Sequence, residues 1–209
     1  VSKLALVSVV IPSYNGSNYI RETVDSVLNQ SYSNIEVIVL DDGSPHRMEA
    51  EVNKITDDRL TYIYKENSGV SDTRNQGLTT YANGEFIVFL DQDDVIHEHF
   101  VKNRLAAIES QSAQGACADL IKIDENSKEM KGEYRSLSSP EELFQFQANR
   151  FSCPAGYLYN RQFLLTNDIR FNRNIENPLH YITGFIHKAC RKPTPQNYLE
   201  TKKNILPLY

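Results

Sequence analysis

The stretch Phe86-Ile87-Val88-Phe89-Leu90-Asp91-Gln92-Asp93-Asp94 decides the fold, because a run of strand-forming apolar residues passes directly into a cluster of carboxylates. An unbroken apolar run of this length suits a strand buried on both faces, the kind found in parallel sheets covered by helices. Carboxylates this close repel one another, so several stay ionised together only with water or a cation among them. A divalent metal is the first expectation for this place.

The pattern repeats on the N-terminal side. Leu6-Val7-Ser8-Val9-Val10-Ile11 reads as a buried strand stopping at Pro12, and Ile35 to Leu40 as a second that also ends in acid, at Asp41-Asp42-Gly43-Ser44. Between them Ile20, Val24, Val27 and Leu28 fall at helical spacing, with Ser17 or Asn18 available as the cap. Met48, Val52 and Ile55 suggest a short helix, Leu60 to Tyr64 a third strand, Val70 to Tyr81 a third helix and Phe86 to Leu90 a fourth strand. This β-α-β-α-β-α-β order predicts an α/β fold, a mostly parallel sheet with helices on both faces. In such sheets ligands bind beyond the carboxyl ends of the strands, where every polar cluster so far lies.

The C-terminal side is less regular. A helix is expected around Phe100, Val101, Leu105 and Ile108, a strand from Ala116 to Ile123, and a helix opening at the capping box Ser139-Pro140-Glu141-Glu142. Asp124 to Ser136 reads as a loop, and Arg161 to Asn167 and Leu179 to Cys190 as short helices. The 209 residues suit a single domain, with residues 1–96 as one half and 97–209 as the other. A net charge of −5 argues against a nucleic-acid binder. Three scattered cysteines, Cys117, Cys153 and Cys190, indicate neither a zinc site nor a disulfide framework, and fit a reducing compartment. No apolar segment approaches the roughly 20 residues of a bilayer-crossing helix.

Four motifs, taken in order, resemble the inverting family-2 glycosyltransferases of the GT-A (Rossmann-like) fold. They are Val9-Val10-Ile11-Pro12-Ser13-Tyr14-Asn15, Leu40-Asp41-Asp42-Gly43-Ser44, Asn67-Ser68-Gly69-Val70-Ser71-Asp72-Thr73-Arg74-Asn75-Gln76-Gly77, and the D-x-D region at Asp91-Gln92-Asp93-Asp94. The resemblance implies a nucleotide-sugar donor, UDP-linked, and a glycan or lipid-linked acceptor. It also implies Mg²⁺ or Mn²⁺ to stabilise the departing diphosphate, held by one or two carboxylates with phosphate oxygens and water. Residues 1–96 would then bind the donor and residues 97–209 the acceptor. A cytoplasmic setting is implied, at the inner face of the membrane for a lipid-linked acceptor, as in bacterial polysaccharide or cell-envelope synthesis. Many relatives also continue beyond the position of Tyr209, so a C-terminal tail is expected to be missing.

By the same resemblance Asp93 is the leading metal ligand. Asp91 contacts the ribose or reaches the metal through water, and Asp94 is a second ligand or holds the sugar. Asp42 would accept from the nucleobase imide while Asp41 holds the loop; both acids could instead serve an Asx-type turn before Gly43. Pro12, Tyr14, Asn15 and Gly69 complete the donor set, Tyr14 offering a face for the base or simply packing. Arg74 would face the diphosphate, against the plain alternative of a solvated helix arginine, and Asn75 would tie the crevice walls together. His180 is a further candidate for the metal shell. Inverting transfer needs a base for the acceptor hydroxyl, and the family places an aspartate where this chain has Asn177, in Ile175-Glu176-Asn177-Pro178. An amide cannot take that proton, so three explanations stand: Glu176, the carboxylate nearby, serves as the base, the acid lies in a short segment absent from this chain, or the protein binds donor without efficient transfer. A non-catalytic nucleotide-sugar binding module and a nucleotidyltransferase are the alternatives. The second is weakened by the lack of Lys or Arg in Pro12 to Ser17.

Overall fold

The computed structural model describes residues 4–117 and 156–173. Strand β1 (Val7–Ser13) is buried at every position. It pairs in parallel with β2 (Ile35–Asp42) along one edge and β4 (Phe86–Phe89) along the other. β2 pairs in parallel with β3 (Leu60–Lys65), while β6 (Tyr157–Asn160) runs antiparallel to both β4 and β5 (Gly115–Cys117). The resulting order is β3-β2-β1-β4-β6-β5, the mostly parallel α/β sheet that the alternation predicts.

Successive side chains of a strand point to opposite faces, and here both faces are covered. Val7, Val9, Ile11, Val37, Val39, Val88 and Leu90 pack on one side with Ile20, Val24 and Val27 of α1 (Ile20–Leu28) and with Phe100, Val101 and Leu105 of α4 (Phe100–Gln111). Met48 and Val52, around the short α2 (Glu49–Val52), join that layer. Val10, Ile38, Leu40, Ile87 and Phe89 face the other way. They meet Leu78, which follows α3 (Val70–Gln76), Leu164 of α5 (Arg161–Thr166), and Phe171. Each such aliphatic side chain contributes about 1.5–3 kcal/mol when fully buried. This is why the apolar runs are continuous rather than alternating.

Three local expectations change. Neither Ser17 nor Asn18 caps α1: Tyr19 stands at that position without a side-chain cap, and the Tyr19 and Ile20 N–H groups both donate to the Gly16 carbonyl at 3.0 Å. The expected helix over Val70 to Tyr81 divides at Gly77 into α3 and a wider turn over Gly77–Tyr81, closed by the Ala82 N–H donating to Gly77 O at 2.9 Å. The strand expected from Ala116 appears as Gly115–Cys117, with its remainder outside the described residues. So do the loop over Asp124 to Ser136, the helix at Ser139, the Leu179 to Cys190 helix, Glu176, Asn177 and His180. The short helix expected from Arg161 is present, with Asn160 Oδ1 accepting from the Phe163 N–H at 2.9 Å.

Gly77 brings its helix close to the sheet: a Cβ there would lie 2.4 Å from Val10 Cγ1. Gly77→Ala must displace a buried side chain of the central strand. It should cost roughly 1–3 kcal/mol, seen as a lower urea midpoint with unchanged slope.

Candidate functional site

The chain runs from β1 outward through β2 and β3, then returns to place β4 on β1's other side. Loops leaving β1 and β4 therefore emerge side by side at the carboxyl edge, the place where such sheets bind ligands. Tyr14 and Asn15 leave β1 there, and the turn Asp91 to Asp94 leaves β4, closed by the Asp94 N–H donating to Asp91 O at 3.1 Å. Gln92 joins the two loops. The Tyr14 N–H donates to Gln92 Oε1 at 2.9 Å, and Gln92 Nε2 donates to Tyr14 O at 3.2 Å. Asn15, with φ 54° in the left-handed region that asparagine tolerates, donates its N–H to Ser44 Oγ at 2.8 Å and so ties in the β2 loop.

Thr23 and Ser26 of α1, with Gln30 just beyond its end, hold the segment that follows. Thr23 Oγ1 donates to Gln92 O at 2.7 Å, the Ile96 N–H donates to Ser26 Oγ at 3.2 Å, and Gln30 Nε2 donates to His97 O at 2.7 Å. Val101 N–H donates to Gln30 Oε1 at 3.1 Å, which fixes the start of α4. The acidic turn is thus carried on a rigid helix.

The acids at the strand ends have different surroundings. Asp41 is fully buried, its carboxylate accepting from the Ser44 N–H at 2.9 Å, the Met48 N–H at 3.4 Å and Tyr62 Oη at 2.5 Å. It holds the loop, as expected, and burial together with this carboxylate pushes the Tyr62 hydroxyl pKa up. Asp42 pairs with the Lys65 ammonium and accepts from the Ser68 and Gly69 N–H groups, both at 2.9 Å, with only 6% of its side chain exposed. Its carboxylate thus binds the loop before α3. Gly69, at φ +87°, makes the turn there, and a Cβ on Gly43, itself at φ +77°, would strike Asn67 N at 2.7 Å.

Arg74 is not a solvated helix arginine. It is 5% exposed, forms an ion pair with Asp91, and lies 5.3 Å over the Phe171 ring. Asn75 does tie two walls together, and it does so through main chain: its Nδ2 donates to Phe171 O and the Phe171 N–H donates to its Oδ1, both at 2.9 Å. Phe171 packs edge-on against Phe89 of β4 at 4.9 Å. Asp72, in the same helix, bonds Gln76 Nε2 at 2.8 Å and pairs with Arg173.

Asp93 is exposed at the apex of the turn, Asp94 and Asp91 are half-buried, and Tyr14 shows half its surface. Among the described residues no three His, Cys, Asp or Glu side chains are grouped to hold a metal. A site of one or two carboxylates completed by phosphate oxygens and water does not need three. Pro12, Tyr14, Asn15, Asp41, Asp42, Gly69, Arg74, Asp91, Asp93 and Asp94 all lie at the carboxyl edge of the sheet or on the α3 side of it. Lys65, Ser44 and Gln92 were not singled out from the sequence, although two of them sit inside the motifs; Phe171 carried no signal.

A family model described as Glycosyl transferase family 2 matches residues 8–168. An uncharacterized glycosyltransferase of Rickettsia typhi is 40% identical over 100 residues, covering 48% of this chain and 31% of the relative. The putative glycosyltransferase EpsH of Bacillus subtilis is 30% identical over 174 residues, covering 79% of this chain and 50% of EpsH. S. aureus TarS (1–349) in complex with UDP-GlcNAc superposes with a TM-score of 0.71 at 26% identity, over 88% of this chain and 53% of that 1–349 chain. The chain spans half or less of the length of these two curated relatives.

Burial pushes the Asp72 carboxyl pKa up, but hydrogen bonds from Ser68 and Gln76 and the charges of Arg173 and Lys65 outweigh it, so the group sits below its ordinary value of 3.8. Its stabilising contribution is therefore present above pH 3.8 and lost as the pH falls through the lower folded value. Asp72→Asn should be less stable than the parent at pH 7, with the gap in urea midpoint narrowing below pH 3.8.

Proposed function

Because the chain belongs to glycosyl transferase family 2, with its GT-A fold, we propose that it transfers a sugar from a UDP-linked donor to a hydroxyl of a glycan or lipid-linked acceptor, inverting the anomeric carbon. The observation that carries this reading is that the four motifs follow β1, β2, β3 and β4 at one edge of the sheet, their loops tied together by Asn15 to Ser44, Gly69 to Asp42, Arg74 to Asp91 and Tyr14 to Gln92. The likeness to TarS bound to UDP-GlcNAc supports the donor class. Residues 1–96 bind the donor in this reading, and residues 97–209 receive the acceptor.

Tyr14 offers its exposed ring to the base. Asp42 Oδ2, which accepts from Gly69, retains acceptor capacity for an imide N–H. Asp91 arrives charge-paired with Arg74, so it suits a ribose hydroxyl or a water better than a direct bond to a cation. Asp93, exposed at the apex, fits as the first ligand of Mg²⁺ or Mn²⁺, with Asp94 beside it. When bound, the ion would supply positive charge to the leaving diphosphate. Arg74 acts through Asp91 and adds a fixed guanidinium behind it. The acceptor hydroxyl loses its proton to Glu176, the carboxylate nearest the expected base position.

No helix among the described residues is long and apolar enough to cross a membrane. A lipid-linked acceptor would bring the protein to the inner face of a membrane from the cytoplasm, as a step in polysaccharide or cell-envelope synthesis. A second reading, a nucleotide-sugar binding module without turnover, is motivated by Asn177.

Calorimetric titration with UDP and Mn²⁺, alongside UDP release from a panel of UDP-sugars, tests this. The parent should bind UDP more tightly with Mn²⁺, and Asp93→Ala should lose most of that gain and at least tenfold in turnover, about 1.4 kcal/mol. Glu176→Gln should bind UDP normally and fail to turn over. Metal-dependent UDP binding with no transfer or hydrolysis by the parent would favour the binding module. Absence of UDP binding with either ion would sink both readings.

A further inference from the structure

We infer that Gln92, the middle residue of Asp91-Gln92-Asp93, is a positioning residue that couples the nucleotide side of the crevice to its metal side; this rests on the donor-site reading above. Its amide pairs in both directions with the main chain of Tyr14, at 2.9 and 3.2 Å. Its own carbonyl accepts from Thr23 Oγ1 at 2.7 Å. A single residue thus fixes the β4 turn to the β1 loop and to α1.

The opposing surface is shaped for that amide. A Cβ on Gly16 would lie 2.0 Å from Gln92 Oε1 and 2.4 Å from its Cδ. Gly16 is not among the glycines with positive φ, which are Gly43 and Gly69. Its lack of a side chain therefore serves space rather than backbone freedom: it leaves room for a neighbouring side chain. The Gly16 carbonyl also receives the N–H groups of Tyr19 and Ile20 at the start of α1, so the amide sits against the foot of the helix whose Thr23 holds the same turn.

The geometry has a functional consequence. Asp91 and Asp93 flank Gln92 in sequence, and the main chain of Tyr14 is held through its amide, so a shift of either loop is carried to the other. A nucleotide seated against Tyr14 and a cation seated at Asp93 each stabilise the clamped arrangement. Each then favours the other's binding, by the same factor in both directions. Residues that only fill space would affect stability or single-ligand affinity without changing that factor.

The test measures the factor itself. UDP is titrated calorimetrically with and without saturating Mn²⁺, and Mn²⁺ with and without UDP, for the parent, Gln92→Ala, Gly16→Ala and the double variant. Gln92→Ala should leave UDP affinity without metal within about twofold and lower the mutual enhancement by about tenfold, a size usual for coupling between sites. Gly16→Ala should do the same, because its methyl group evicts the flexible end of Gln92 rather than main chain. The double variant should be no worse than Gln92→Ala alone, since the displaced amide is then gone. Thermal melting of Gln92→Ala within a few degrees of the parent is expected alongside.

Full mutual enhancement in Gln92→Ala overturns the inference, as does a fall in both single-ligand affinities with the enhancement unchanged. Additive losses in the double variant would overturn the role given to Gly16. A parent that binds neither UDP nor Mn²⁺ removes the donor-site reading itself, an outcome distinct from the others.

Discussion

Strand β1 is the constraint on which the rest depends. It is buried on both faces and paired on both edges, so no further element can be added beside it. The chain must build outward through β2 and β3, then cross back to place β4 on the other edge. Parallel pairing sends each of these strands' exits to one edge of the sheet, where those of β1 and β4 emerge side by side. The place of the candidate site follows from this topology before any polar residue is considered, and the residues at the strand ends determine what it can hold.

Those residues solve a charge problem. Asp41, Asp42, Asp72 and Asp91 lie close together at one edge of a low-dielectric sheet, where bare carboxylates would be costly. Each is compensated in its own way. Asp41 uses hydroxyl and amide donors, Asp42 an ammonium and two amides, Asp91 a buried guanidinium and Asp72 an exposed one. Asp93, by contrast, stands at the apex of its turn, exposed to solvent. The acids that look alike in the sequence are thus sorted by their partners into holders of loops and one outward-facing ligand candidate.

The fold was legible because its strands are buried on both faces, which writes them as uninterrupted apolar runs ending at Pro12, Asp41 and Asp91. The helix spacing of Ile20, Val24 and Val27 was equally plain. What could not be read were interactions between segments far apart in the chain. Asn75 and Phe171 are 96 positions apart, and nothing local to Phe171 marks it. The partner of Arg74 was missed for a related reason: a lone arginine on a short helix looks solvated until the helix is known to pack against β1 with its guanidinium reaching the β4 turn. The break at Gly77 depends on the shape of Val10, a residue in another strand. Capping of α1 was misjudged because a nearby main-chain carbonyl, Gly16 O, did the work that side chains were expected to do.

Among the described residues β3 pairs only with β2 and stands at the end of the strand order. Such an edge invites a strand from another chain. Here it is short, it begins beside the Arg59–Asp57 ion pair, and it ends at Lys65, with Arg47 lying 4.1 Å over Tyr64. Lys65 also neutralises Asp42. The residue that ends β3 is therefore the one that pairs with the β2 acid and donates to Ser68 Oγ at 2.6 Å, so a substitution there alters the strand end and the loop before α3 together.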